Sequence, residues 1–382
     1  MKNQFALTVS TGIDIVQNRR IRRFSPALPE RRRRAFHNLR TMPTVNITSK
    51  GGPLTVSYTI STPNSTFAKT ITDGLPTIVF LHAVFVGKAS FDAQFRDPRL
   101  RRFNLIALDL RGHGETVGDA KETYGVEEAA DDVAKFLEAL RLPPVHLMGV
   151  SLGAIIALEV AVRYPHRLQS LILNSCPSME EPAAVAEGRF EIYALWANAF
   201  EGARHDGTVV DEEFLHDAVY GALQLNVNNA DCPLVDQLTE LSVKHALHNW
   251  DGAHLQFSRR VTVAPFVGRP RATVRGIACP VLLIHCEHDV AYPLEAAEEM
   301  RDAMEAAGVE VMLHEVPGAF ALAHISDVDE INGLVYDMVL RRTREKNLPP
   351  APTTVASPFA ELLARHDKRD SADTDSASEG VL

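Results

Sequence analysis

The sequence predicts an α/β fold in which a mostly parallel, doubly wound sheet is covered by helices and interrupted by a helical insertion. Three observations support this prediction. Short, continuous apolar runs recur along the chain and alternate with stretches of helical periodicity. One run leads directly into a Gly-x-Ser-x-Gly segment that a helical pattern follows. The interval 178–275 shows several helical patterns and no strand pattern, and an apolar run resumes soon after it.

The first predicted elements are strands at 45–49 and 55–61, whose alternating apolar and polar residues are typical of a hairpin with one face in water. The later apolar runs predict strands buried on both faces, as in parallel sheets. They lie at 77–81, 105–110, 145–150, 168–173, 281–285 and 311–316. Helical patterns separate them at 126–140, 152–164, 294–307 and 327–341. This alternation predicts a sheet with helices on both faces.

Composition narrows the class of protein. The chain has 382 residues, of which 46% are hydrophobic, so it can bury a large core. A net charge of -10 argues against nucleic-acid binding, which requires clustered Lys and Arg. No apolar run in the sequence approaches the roughly 20 residues that span a membrane. The four cysteines are irregularly spaced: Cys176, Cys232, Cys279 and Cys286. This spacing indicates reduced thiols in an intracellular protein. No pair has the spacing of a zinc finger, so no zinc site is expected.

The chain divides into five predicted segments. Residues 1–42 are Arg-rich and are expected to be a disordered leader in a cytoplasmic protein or, alternatively, a mitochondrial presequence. Met42, just before the first strand, is an alternative start. Residues 43–177 and 276–345 are predicted to form the core. The insertion 178–275 is predicted to be a lid over the carboxyl edge of the sheet, where such sheets bind ligands, with a separate helical bundle as the alternative. Residues 346–382 are predicted to be a disordered acidic tail.

The chemistry is concentrated at Ser151. A buried strand ends at Gly149-Val150-Ser151-Leu152-Gly153, and a helix begins at once. A serine at a sharp strand-to-helix turn has a strained backbone, and flanking side chains would collide there. The turn presents the hydroxyl at the mouth of the sheet and at a helix amino terminus, which favours developing negative charge. The sequence therefore predicts Ser151 as a nucleophile.

These motifs resemble the α/β-hydrolase superfamily, in particular its serine esterases and enol-lactonases, over residues 45–342. Residues 78–82 (IVFLH) resemble the third strand and its turn histidine. Residues 108–116 (LDLRGHGET) resemble the D-x-R-G-H-G-x-S signature. Residues 279–285 (CPVLLIH), followed by Asp289, resemble the strand that delivers the catalytic acid. The resemblance implies an α/β-hydrolase fold with a helical lid.

The resemblance also implies roles for individual residues. Ser151 matches the nucleophile, and Asp289 matches the acid that orients the catalytic histidine. The backbone amides of Val84 and Leu152 match the oxyanion donors. A serine at the elbow argues against the epoxide-hydrolase and dehalogenase branches, which use aspartate there. Three further polar residues are interpreted as parts of hydrogen-bonded turns: His82, Asp109 and His113.

The catalytic histidine departs from the family pattern. In the family, the segment after the last strand resembles P-G-A-G-H-x-x-H. Residues 317–324 of this chain read PGAFALAH, so Ala321 occupies the position of the family's catalytic histidine. His324 lies three residues later. If this segment is helical, residues three apart share a face, and the imidazole would approach the elbow. Alternatively, His324 occupies the family's second histidine position and only packs near the site.

Two functions follow. The first is a serine hydrolase acting on a small ester, lactone or related acyl substrate through a Ser151 acyl-enzyme, with Asp289 and His324 completing the triad. The second is a catalytically weak or silent protein that binds a small molecule under the lid. The sequence contains no dinucleotide or phosphate-loop motif, so we expect no cofactor and no metal.

Overall fold

The computed structural model describes residues 42–175, 177–200, 210–227, 232–250, 254–267, 272–343 and 348–366. Eight strands form one sheet in the order β1-β2-β4-β3-β5-β6-β7-β8. The pairs β1–β2 and β2–β4 are antiparallel, and all other neighbours are parallel. The strands are β1 Thr44–Ser49, β2 Gly52–Ser61, β3 Thr77–Leu81, β4 Asn104–Leu108, β5 Val145–Val150, β6 Leu168–Asn174, β7 Val281–Cys286 and β8 Val311–Val316. The predicted mostly parallel, doubly wound sheet is confirmed.

Eleven α-helices accompany the sheet in the described residues. They are α1 Asp92–Arg96, α2 Val126–Ala139, α3 Leu152–Arg163, α4 Ala183–Asn198, α5 Glu212–Asn226, α6 Pro233–Asn249, α7 Leu255–Thr262, α8 Leu294–Ala306, α9 Ala323–Ser326, α10 Val328–Arg342 and α11 Ala360–Ala364. Every residue of β3, β4 and β5 is buried, which explains why these strands read as continuous apolar runs. None of the described helices is long and apolar enough to cross a membrane.

The strand order places a switch point beside β3. From β3 the sheet continues to β4 on one side and to β5 on the other. In open α/β sheets the crevice for a ligand opens at such a point, outside the carboxyl ends of the strands. Leu81 of β3 is paired in register with Gly149 of β5, so the turns that follow these two strands emerge side by side.

The insertion 178–275 contains the four helices α4 to α7 and no strand among its described residues. It packs on the turn that follows β4. The Asn249 side-chain amide donates to the Gly114 carbonyl oxygen at 2.9 Å, and a Cβ at Gly112 would lie only 2.9 Å from the Trp250 ring. Trp196 of α4 is buried and contacts Phe85, in the turn after β3, at a ring-centroid distance of 6.3 Å. The insertion therefore covers the loops at the switch point.

The prediction of a disordered tail from residue 346 is wrong for residues 348–366. Phe359 is fully buried and packs edge-on against Phe95 with ring centroids 5.2 Å apart. The Arg101 guanidinium donates to the Ala356 carbonyl oxygen at 3.1 Å. The prediction relied on the average composition of the segment, which is rich in proline. Two buried apolar side chains, Phe359 and Leu363, nevertheless anchor the segment to the core. Residues 367–382 lie outside the described residues, as does the predicted leader apart from Met42.

Candidate active site

Ser151 forms a strained elbow between β5 and α3. Its φ of 51° and ψ of -110° place a non-glycine residue in a sparsely populated region, at a cost of about 1–3 kcal/mol. A Cβ at Gly149 would collide with the carbonyl oxygen of Gly153, and a Cβ at Gly153 would collide with that of Leu81. The two glycines of the motif therefore permit the close approach of strand, turn and helix. The Ser151 side chain is largely buried at this turn.

The two predicted oxyanion donors lie in adjacent turns. The Leu152 amide is at the amino terminus of α3, where the helix dipole favours negative charge. Val84 lies in the turn after β3, and the Gly153 amide donates to the His82 carbonyl oxygen at 3.1 Å, which joins that turn to the elbow. Within the described chain, neither the Val84 nor the Leu152 amide donates a hydrogen bond to another residue. Both are free to receive an anionic oxygen.

Asp289 lies on the turn after β7 and has a different partner from the one that the family pattern implies. Its carboxylate accepts a short hydrogen bond from the Ser175 hydroxyl, and it accepts the amides of Ala291 at 2.9 Å and Tyr292 at 3.2 Å. Burial raises its pKa, although these hydrogen bonds act in the opposite direction. No histidine among the described residues donates to this carboxylate.

The acid and the nucleophile are connected through the end of β6. The Ser151 amide donates to the Asn174 carbonyl oxygen at 3.2 Å, and Ser175, the next residue, donates to Asp289. The Asn174 side-chain amide in turn donates to the Ala321 carbonyl oxygen at 3.1 Å. The structure therefore brings the elbow, the acid and the Ala321 position to one edge of the sheet.

His324 stands apart from this arrangement. It lies on the short helix α9, its ring is fully buried, and neither ring nitrogen has a hydrogen-bond partner in the described chain. The ring packs on Phe91 at 5.2 Å between centroids, and burial lowers its pKa to about 3. The helical condition under which His324 would approach the elbow is met, but no hydrogen bond joins it to Ser151 or Asp289.

The three polar residues interpreted as parts of turns are held by hydrogen bonds. His82 receives the Leu110 amide on Nε2 at 3.0 Å, and its Nδ1 lies 2.7 Å from the Ala83 carbonyl oxygen. Asp109 accepts the amides of Lys88 at 2.7 Å and Glu115 at 2.9 Å. His113 differs, because its Nδ1 contacts the Arg111 carbonyl oxygen at 3.0 Å while its buried Nε2 has no partner in the described chain.

Sequence reasoning missed a buried cation next to this site. Lys88, in the turn after β3, is 4% exposed, and its ammonium group lies 2.5 Å from Asp109 and 2.9 Å from the Ser57 hydroxyl. A third contact, at 3.1 Å, is with the carboxylate of Glu115. No motif marks this lysine, because its partner is more than twenty positions away in the sequence.

A second missed network ties the insertion to the acid turn. Arg189 of α4 donates to Glu181 at 2.6 Å and to the Tyr292 hydroxyl at 2.8 Å, and Tyr292 donates to Glu181 at 2.8 Å. The guanidinium group also stacks on Phe266 at 3.6 Å. Because the Tyr292 amide contacts Asp289, the insertion positions the acid. The described residues contain no group of three or more His, Cys, Asp or Glu placed to hold a metal ion.

Comparisons with known sequences show the family resemblance of the chain. A family model described as the alpha/beta hydrolase fold matches residues 76–328. A protein of Agrobacterium fabrum named "Putative carbamate hydrolase RutD" is 36% identical over 80 residues, which are 21% of this chain and 31% of that protein. A "Putative 2-succinyl-6-hydroxy-2,4-cyclohexadiene-1-carboxylate synthase" of Bacillus subtilis is 34% identical over 137 residues, or 35% of this chain and 45% of that protein. The chain thus spans less than half of the length of these curated relatives.

Solved structures resemble the whole core. A thermophilic esterase from Thermogutta terrifontis superposes with a TM-score of 0.58 at 19% identity, covering 79% of this chain and 99% of that one. An enol-lactonase from Burkholderia xenovorans LB400 gives a TM-score of 0.54 at 19% identity, covering 78% and 100%. At this identity the likeness concerns the fold alone, and it confirms the predicted fold class.

Proposed function

Since the chain belongs to the α/β-hydrolase family, we propose that it is a serine hydrolase acting on a small ester, lactone or related acyl substrate. The observation that carries this proposal is the elbow: Ser151 keeps a strained, left-handed φ of 51° between two amides that have no other acceptor in the described chain. Such strain persists where the surrounding structure maintains it, and it is concentrated at functional sites. The insertion 178–275 serves as the lid of this site.

The proposed reaction begins with attack of the Ser151 hydroxyl oxygen on the acyl carbon. The carbonyl oxygen becomes negatively charged and accepts hydrogen bonds from the Val84 and Leu152 amides. The leaving alcohol departs with a proton, and water then hydrolyses the acyl-enzyme. His324 is the proposed base. Because its ring has no hydrogen bond to Ser151 or Asp289, proton transfer requires the α9 segment to shift toward the elbow.

Labelling with a fluorophosphonate probe tests the nucleophile directly. The purified chain should react with the probe, and Ser151→Ala should not. A control variant, Ser90→Ala, changes a buried serine that accompanies no catalytic motif and should still be labelled. Absence of labelling in the wild-type chain, under conditions in which a known serine hydrolase reacts, would refute an activated Ser151.

The role of His324 is tested by His324→Phe. Phenylalanine has a similar shape and leaves no unpaired buried nitrogen, so this variant should fold at least as stably as the wild-type chain. If His324 is the base, labelling of Ser151 should fall by several orders of magnitude, because loss of the histidine in a comparable serine enzyme costs about 10⁶-fold. Unchanged labelling in a folded His324→Phe protein would exclude His324 as the base.

A second candidate function is supported by the Asp289–Ser175 hydrogen bond. The acid already has three donors, and none of them is a histidine of the described chain. We therefore also propose, as the alternative, a catalytically weak or silent protein that binds a small acyl compound on the oxyanion donors. Such a site should gain esterase activity of at least tenfold in Ala321→His, whereas an active triad built on His324 should gain nothing.

A further inference from the structure

The Asp289 carboxylate has an acceptor position to spare, and every donor that it meets is neutral. Its Oδ1 atom accepts the amides of Ala291 and Tyr292, and its Oδ2 atom accepts the Ser175 hydroxyl. A carboxylate offers about four acceptor positions, so Oδ2 can accept one more donor. In the part of the chain that the structure describes, no Lys or Arg forms an ion pair with Asp289.

This carboxylate favours a donor that carries positive charge. Burial raises the pKa of Asp289, and a cationic partner would offset that effect. The Arg189 guanidinium, which the insertion brings to the same turn, pairs with Glu181 at 2.6 Å, so its charge is already compensated. Asp289 is only half-buried, so a ligand has access to it. Carboxylates removed from bulk water are normally paired, and here a ligand can supply the partner.

The nucleophile and a small side chain lie beside the acid. The Ser151 amide donates to the Asn174 carbonyl oxygen at 3.2 Å, and the next residue, Ser175, donates to Asp289. The Asn174 side-chain amide donates to the Ala321 carbonyl oxygen at 3.1 Å. Ala321 is buried, and its side chain ends at Cβ. The segment after β8 therefore contributes a methyl group, and no acid or base, to this edge of the sheet.

We infer that this edge binds an acyl compound whose acyl part carries an imidazole ring or a comparable heterocycle with one N–H group and one basic nitrogen. The N–H group donates to Oδ2 of Asp289, and the basic nitrogen accepts the proton of the Ser151 hydroxyl. We take Ser151 as the nucleophile, so this substrate class rests on the proposed function. A substrate of this class needs no movement of His324, whose buried ring packs on Phe91.

The ring of the substrate accounts for every proton of the reaction. The Ser151 hydroxyl oxygen bonds to the acyl carbon while its proton passes to the ring nitrogen, and Asp289 stabilises the resulting cation. When the bond to the leaving alcohol breaks, the ring returns the proton to that oxygen. The ring remains on the acyl-enzyme and takes a proton from water, whose oxygen adds to the acyl carbon. Release of the acid returns this proton to the Ser151 oxygen.

Free imidazole tests the ring site, with fluorophosphonate labelling at pH 8 as the readout. It should accelerate labelling of the wild-type chain by about 10²-fold or more, the usual contribution of a general base, and the rate should saturate with imidazole concentration. Thiazole has a similar shape but no N–H group, so it should have no effect. The imidazole-dependent rate of His324→Phe should equal that of the wild-type chain. An equal response to thiazole, a rate that never saturates, or a response that requires His324 would overturn the inference.

Two variants locate the ring. Ala321→Leu extends the side chain beside Ser151 and Asp289 and should abolish the response to imidazole. Asp289→Asn removes the charge that stabilises the cation and should reduce the response at least tenfold. Ala306→Leu, at an exposed position near the end of α8, is the matched control and should respond as the wild-type chain does. A full response in Ala321→Leu and Asp289→Asn, with both folded by circular dichroism, would contradict the assigned site.

Binding to the Ser151→Ala protein separates this site from the proposed hydrolase. Saturation-transfer NMR should detect imidazole on this protein, but not on Ser151→Ala/Asp289→Asn, and should detect no thiazole on either. Imidazole binding without any labelling of the wild-type chain would refute the hydrolase and support the ligand site. Absence of imidazole binding would overturn the ligand site, whatever the labelling shows.

Discussion

Replacing Lys88 by methionine should destabilise the protein far more than replacing an exposed lysine. The Lys88 ammonium group is buried between the Asp109 carboxylate at 2.5 Å and the Ser57 hydroxyl at 2.9 Å. Asp109 is itself 1% exposed. Methionine occupies a similar volume but removes the charge, so Asp109 would remain as a buried carboxylate without a cation.

The magnitude follows from the burial of the pair. Removing one partner of a buried ion pair costs about 3–5 kcal/mol, because the remaining charge is desolvated and uncompensated. The pKa of Asp109 gives an independent figure. Although burial acts to raise it, Lys88 is the largest of the influences that lower this pKa from 3.8 to about 2. That shift corresponds to roughly 2 kcal/mol at neutral pH, present above pH 4 and lost as the pH falls toward 2.

Urea denaturation at pH 7, followed by circular dichroism, measures the effect. We expect Lys88→Met to lower the free energy of unfolding by roughly 2–5 kcal/mol. The control Lys135→Met removes an exposed pair with Glu138 and should have no measurable effect. The double variant Lys88→Met/Asp109→Asn should recover part of the loss. A change below about 1 kcal/mol in Lys88→Met would refute the reasoning, because it would mean that the pair is as solvated as a surface pair.

Two further predictions concern stability. Phe359→Ala should cost about 3–5 kcal/mol in the same urea assay, because it opens a cavity against Phe95. Phe67 is 37% exposed, so Phe67→Ala removes less buried surface and should cost clearly less. Equal effects of the two substitutions would contradict an anchored tail. Stability should also fall as the pH drops from 6.5 toward 4, by about 1.4 kcal/mol per pH unit for each histidine that remains neutral in the native state. Burial lowers the pKa of four such residues to about 3 or 4: His113, His146, His245 and His324. A flat profile of stability between pH 6.5 and 4.5 would show that these rings are accessible to protons in the folded chain.

The core and the elbow were predictable from the sequence because local signals specify them. The six apolar runs coincide with β3 to β8, and the glycines around Ser151 satisfy a steric requirement that acts over five residues. The turns after β3 and β5 lie together because parallel strands end at one edge. These features need no knowledge of distant side chains.

The partners of the site residues were not predictable. Ser175 contacts Asp289 across more than a hundred residues of sequence, and Lys88 reaches Asp109 from another turn. A serine or lysine in a loop has no periodic signature, so only the packed structure reveals which carboxylate it meets. The order of residues 348–366 was not predictable for the same reason. Two apolar side chains are enough to hold this Pro-rich segment on the core, but only the packed structure shows the buried surface that receives them.

The hydrogen bond between Ser175 and Asp289 implies epistasis between two distant positions. A histidine introduced at Ala321 would compete with Ser175 for the acid, so the single substitution should gain less activity than the pair Ala321→His/Ser175→Ala. Ser175→Ala alone would remove a hydrogen-bond donor from a buried carboxylate, so it would lower stability without raising the esterase activity. An evolutionary path from this chain to a conventional triad is therefore direction-dependent: the histidine has to arrive before the serine is lost.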